Sequence, residues 1–170
     1  MTEEARNDDA VNFTALLEFL RETPNRLASF TAGLSNPELQ LQNSPGEFSV
    51  LENVCHLRDL EIQGYTPRIR RILAEAEPAL ADFDGARMAA ESDYNNEAPD
   101  VALQAFQIAR LENVERLRAL SEDQLEREGT LEGVGSITLR TLAEMMREHD
   151  EGHLEDLAAL RRSLRKDIVI

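Results

Sequence analysis

The sequence predicts an all-α protein, a four-helix bundle. Apolar residues recur at three- and four-residue spacing through four long stretches, and loops rich in Pro, Gly, Asn and Asp join them. No stretch shows the strict apolar–polar alternation of a half-buried strand. Helices joined by loops, without a strand pattern, must bury their stripes against one another. At 170 residues one domain is expected, long enough for a single core.

The first helix opens after Asp8-Asp9, whose carboxylates suit an N-cap. Its apolar positions are Phe13, Leu16, Leu17, Leu20, Leu27, Phe30 and Leu34. Pro24 lacks an N–H, so a kink or a division near Thr23 is expected. After a loop from Ser35 to Gly46, Ser49-Val-Leu-Glu52 reads as a capping box that starts the second helix. That helix runs towards Ala76, with a kink or break at Pro67. Pro78 to Pro99 is weakly periodic and reads as an irregular crossover, with at most a short helix between 79 and 91. The third helix begins near Pro99-Asp100 and carries Leu103, Phe106, Ala109, Leu117 and Leu120. Glu128 to Ser136, punctuated by Gly129, Gly133 and Gly135, reads as a loop. Thr138 caps the fourth helix, whose Leu142, Met146, His149, His153, Leu157 and Leu160 form one stripe. The expected organisation is an N-terminal tail (1–10), the bundle (11–165) and a C-terminal tail (166–170). The apolar end Asp167-Ile-Val-Ile170 is expected to pack against the protein.

The net charge of −15 repels phosphates, and no helical face is basic, which argues against a nucleic-acid partner. A single cysteine, Cys55, rules out an internal disulfide and fits a reducing compartment. Neither a signal-like start nor a run of about 18 apolar residues is present, so a cytoplasmic protein without membrane contact is expected.

The most informative feature is the histidine usage. The chain has three. His149 and His153, four apart on one helix, are neighbours on its surface, and their imidazoles can converge on one divalent ion. Their place on the inward stripe also suits two core histidines bonded to carboxylates. His56 shares its face of the second helix with Glu52, Asp59, Leu60 and Gln63. This face fits either a solvated surface or a metal cleft in which Glu52 or Asp59 orients the ring. A zincin site is excluded, since Asp150 follows the first histidine, and a di-iron bundle site lacks its Glu-x-x-His pairs. Cys55 reads as a small buried hydrophobe. Arg110 reads either as a cation facing the cleft, suited to an anionic substrate, or as a surface arginine paired with Glu112 or another carboxylate. Glu52, Asp59 and Asp150 are candidate acid–base groups.

Several stretches in order resemble the DinB-like (DinB/YfiT) superfamily. A proline-interrupted first helix leads to Ala-Gly-Leu-Ser-Asn-Pro-Glu-Leu (32–39) and then to Pro45-Gly-Glu-Phe-Ser-Val-Leu-Glu-Asn-Val-Cys-His-Leu-Arg-Asp-Leu-Glu61. Ser92-Asp-Tyr-Asn95, Arg110, Gly135-Ser-Ile-Thr-Leu139 and His149-Asp-Glu-Gly-His-Leu154 follow. The resemblance spans about 11 to 162. One departure is Phe48, where members often carry tryptophan. The resemblance implies a bundle with a long crossover between helices two and three, and a divalent ion, nickel or zinc, on His56, His149 and His153. It also implies a homodimer and a small-molecule substrate. The activity it implies is transfer or isomerisation with a low-molecular-weight thiol. Hydrolysis by ion-activated water, or a non-enzymatic metal or small-ligand binding module of a stress response, are the alternatives.

Overall fold

The computed structural model describes the backbone of residues 3–166 and the side chains of residues 11–164 apart from Ala86. Four long helical runs form the bundle: α1 (Glu3–Thr31), a composite second run, α6 (Pro99–Arg118) and α8 (Leu139–Lys166). The composite run comprises α3 (Val50–Asp59), a π-helical segment (Leu60–Tyr65) and α4 (Thr66–Ala74). Short elements fill the connections: α2 (Asn36–Leu39), β1 (Ala79–Leu80), α5 (Gly85–Glu91), a 3-10 turn (Tyr94–Asn96), α7 (Glu122–Leu125), β2 (Glu128–Leu131) and β3 (Gly135–Thr138).

The bundle and the crossover between the second and third runs agree with the sequence reading. Details differ. The first helix starts at Glu3, upstream of the Asp8-Asp9 cap and inside the stretch expected as a tail. It also runs undivided through Pro24. Thr23 donates its hydroxyl to the Phe19 carbonyl at 3.1 Å, while Leu20 and Leu27, one turn to either side, are fully buried. Packing of those leucines holds the helix together across a residue that costs an isolated helix about 3 kcal/mol. The apolar end 167–170 lies outside the described residues.

Pro67 neither breaks the second run nor leaves it an ordinary α-helix. Ahead of it the chain widens into the π segment, where the Thr66 amide donates to the Glu61 carbonyl, five residues back. The extra residue relieves the crowding that a proline ring imposes on the preceding turn. Glu61, one turn beyond Leu57 on the inward face, is fully buried.

The glycine-punctuated stretch expected as a loop is a β-hairpin. β2 pairs antiparallel with β3 and parallel with β1, giving the order β1-β2-β3. The expectation failed because one inward position of β2 is Gly129. A Cβ there would lie 3.0 Å from both Ile72 Cγ1 and Leu80 Cδ1, so the glycine is a packing site. Gly133 and Gly135 adopt φ +77° and +106° at the turn.

Two apolar clusters fill the bundle. One gathers Leu16, Leu20, Ile69, Ile72, Val114, Leu142 and Met146 with the hairpin residues Leu131 and Ile137. The other gathers Leu27, Val54, Leu57, Phe106, Leu154 and Leu157. The three histidines lie on α3 and α8, alongside the second cluster. Among the described residues no helix is long and apolar enough to cross a membrane.

Candidate metal centre

α3 begins where the sequence indicates. Ser49 Oγ accepts the Glu52 amide at 3.1 Å, and Glu52 Oε2 accepts the Ser49 amide at 2.7 Å. Two turns on, His56 points at α8, where His149 and His153 sit on successive turns of one face. The ring centroids are 4.5–5.3 Å apart. One ligand atom from each ring lies within 4.8 Å of the others, and Nε2 of His56 is 3.3 Å from Nε2 of His149. Two nitrogens bound tetrahedrally at 2.0–2.1 Å stand about 3.3–3.4 Å apart, so this spacing fits a shared ion. Among the described residues no carboxylate or thiol joins the group.

The surroundings select neutral rings. Burial, and next the charge of a neighbouring imidazole, pull all three pKa values down from 6.5 to about 4. Neutral imidazole is the form that ligates metal. His153 Nδ1 lies 2.6 Å from Asn53 Oδ1, while the Asn53 amide nitrogen donates to the Ser49 carbonyl at 2.9 Å. The amide is thereby oriented with its oxygen towards the ring, so His153 Nδ1 carries the proton and Nε2 the lone pair. The Nδ1 atoms of His56 and His149 are buried without a protein partner. Phe48 lies against His56 and His153 at centroid distances of 5.2 and 6.3 Å, and Phe83 lies 6.2 Å from His56. The backbone at Gly85 presses on the same ring: a Cβ there would stand 2.5 Å from His56 Cε1. A dry-walled set of three imidazoles suits zinc, nickel or iron.

The remaining expected site residues are engaged elsewhere. Glu52 holds its cap and accepts from Gln42 Nε2 at 2.9 Å. Asp59 accepts from the Tyr94 hydroxyl at 2.8 Å and from Arg58 Nε at 2.8 Å. Neither bonds the His56 ring, the role that the metal-cleft reading of this face allowed them. Asn53, three residues before His56 and on the same helix face, supplies that kind of support to His153 instead. Its spacing was the signal that could have found it. Arg110 is not a cleft cation for an anionic substrate: it pairs with carboxylates, as the second reading held, but in the core and not at the surface with Glu112. It is 1% exposed and ion-paired to Glu61 and Asp150, both fully buried. Asp150 is therefore occupied as well. Glu61 continues the buried stripe of Val50, Val54 and Leu57, and that spacing was the signal that could have found it. Cys55 is fully buried, and desolvation raises its thiol pKa to about 12, in keeping with a small core residue.

The sequence profile of the DinB superfamily matches residues 20–157. The chain belongs to the DinB superfamily. Within it, the chain is similar to a candidate metal-dependent hydrolase of Bacillus licheniformis, 25% identical over 146 residues that cover 85% of this chain and 82% of that one. Among solved structures it is similar to YfiT from Bacillus subtilis, described as a probable metal-dependent hydrolase with an unusual four-helix bundle topology. The TM-score is 0.81 at 21% identity, covering 96% of this chain and 90% of YfiT. The two chains share the DinB bundle fold.

Proposed function

We propose that this DinB-superfamily chain is a metal-dependent enzyme acting on small molecules, with a nickel or zinc ion held by His56, His149 and His153. One observation carries the reading: three neutral imidazoles from two helices converge, with no fourth His, Cys, Asp or Glu among the described residues joining them. An ion so held lowers the pKa of a thiol or water that binds it. The chain's own groups keep the rings uncharged, fix the His153 tautomer through Asn53, and line the rings with Phe48 and Phe83. None of Glu52, Asp59 and Asp150 bonds to a histidine ring, so the reading rests on the ion and not on a carboxylate base.

The first reaction class is transfer or isomerisation with a low-molecular-weight thiol, as the family resemblance implies. The second is hydrolysis, favoured by the descriptions of the two similar Bacillus proteins. We place the enzyme in the cytoplasm as a homodimer of single-domain chains (11–165), in keeping with the lone buried Cys55 and the resemblance.

Elemental analysis of the purified protein and of H56A, H149A and H153A tests the centre. One ion per chain, lost in each variant, is expected; metal content indifferent to the histidines refutes it. Metal-loaded protein is then assayed with thiol–electrophile pairs and, in thiol-free buffer, with esters and amides. Turnover that requires thiol selects transfer, and turnover without it selects hydrolysis. Bound metal with neither leaves a binding module.

A further inference from the structure

The helices that carry the histidines are joined through a third helix by a single guanidinium. Glu61, five residues beyond His56, lies in the π segment that continues α3. Asp150 is the residue after His149 on α8. Arg110, on α6, bonds both. Its Nε donates to Glu61 Oε2 at 2.9 Å and its Nη2 stands 2.8 Å from the same oxygen. Its Nη1 donates to Asp150 Oδ2, and Nη2 donates to Asp150 Oδ1 at 3.1 Å. The other Glu61 oxygen accepts from Asn113 Nδ2 at 2.7 Å, and that same nitrogen also reaches Thr66 Oγ1 at 2.7 Å. The guanidinium carbon stands 4.8 Å from the Phe106 ring centroid.

We propose that Arg110 is a positioning residue of the metal centre, a clamp between Glu61 and Asp150 that sets the register of His56 against His149 and His153. The proposal rests on the metal reading above. Burial of three charges is a poor route to stability, because apolar residues of similar volume usually serve as well or better. Apolar side chains, however, slide past one another, whereas a planar fork bonded to two carboxylates admits one arrangement. The clamp grips the two segments next to the ligands: one residue from His149 and five from His56. Metal distances tolerate errors of only about 0.2 Å, so a small slip between α3 and α8 disturbs the centre.

The test compares wild type with R110M, R110K, I72A and H149A, each at a temperature where it is folded. Met keeps the bulk of the arginine without its bonds. Lys keeps the charge but cannot fork to both carboxylates, and it serves where R110M does not fold. Ile72 is a fully buried core residue outside the clamp. Zinc affinity is measured by chelator competition, and the centre's geometry by the visible spectrum of the cobalt-loaded protein. R110M and R110K are expected to bind zinc about 10–100-fold more weakly, with altered cobalt bands. I72A, destabilised but with the clamp intact, is expected to match wild type in both. Wild-type affinity and spectrum in either Arg110 variant overturn the proposal, as does an equal loss in I72A. Failure of the metal reading shows differently, as zinc binding equal in wild type and H149A. The clamp is then judged without metal, from crystal structures of wild type and R110M. An unchanged 3.3 Å approach of His56 Nε2 to His149 Nε2 overturns it, and a lengthened one supports it.

Discussion

Gly85 offers a direct probe of how tightly the His56 ring is held. Its φ lies outside the left-handed region, and it is the first residue of α5, so alanine suits the local backbone. By itself such a change stabilises a protein by about 0.4–1 kcal/mol, through the unfolded chain. The new methyl group, however, would stand 2.5 Å from His56 Cε1 and 3.2 Å from Nδ1. Carbon atoms settle at about 3.5–4.0 Å, so the ring or the α5 backbone must retreat by about 1 Å. A ligand tolerates about 0.2 Å, so a ring that absorbs the shift no longer meets the ion at its proper distance. Overpacking of this kind costs about 1–3 kcal/mol. Less the gain of about 0.4–1 kcal/mol, the net cost is about 0–2.6 kcal/mol; at about 2–4 °C per kcal/mol for a chain of this length, G85A is expected to melt up to about 10 °C below wild type and to bind zinc more weakly. In an H56A background the obstacle is gone, and the same substitution is expected to be neutral or to raise the melting temperature by about 1–4 °C. Thermal melts of the four proteins close a double-mutant cycle whose coupling is the overpacking cost alone, about 1–3 kcal/mol. Equal effects of G85A in both backgrounds would refute the reasoning.

Other expectations concern the same surroundings. N53A removes the acceptor at 2.6 Å from His153 Nδ1, and zinc affinity should fall by about 10–100-fold in a competition titration; unchanged affinity would show that the ring needs no such support. Metal-free protein should lose stability as pH falls from about 6.5 to about 4. The unfolded rings take up protons near 6.5 and the folded ones only near 4, so the unfolded state binds more protons across that window. Urea melts at successive pH values measure this, and H149A should show a shallower slope. Cys55, buried with its thiol pKa raised to about 12, should resist thiol reagents in the native protein and react fully in guanidinium; rapid native labelling would contradict its placement.

The sequence by itself determined the helical run of the chain and the inward face of α8 that carries two of the histidines. The stripe from Leu142 to Leu160 sets which face of α8 turns inward, and the two histidines ride on it because helical periodicity is local. The Ser49–Glu52 box and the Thr138 cap, which accepts the Thr141 amide at 3.1 Å, were legible for the same reason: each is closed within four residues. Only the tertiary structure decided what depends on distant segments. Gly129 is strand and not loop because Ile72 and Leu80 leave no room for a side chain. Pro24 stays helical because leucines on either side of it are buried. Arg110 is a buried ion pair and not a cleft cation because the second helical run brings Glu61, and α8 brings Asp150, to the same guanidinium. His56 joined its two partners across 93 residues of chain, a meeting that spacing permitted and only the packing of α3 against α8 brought about.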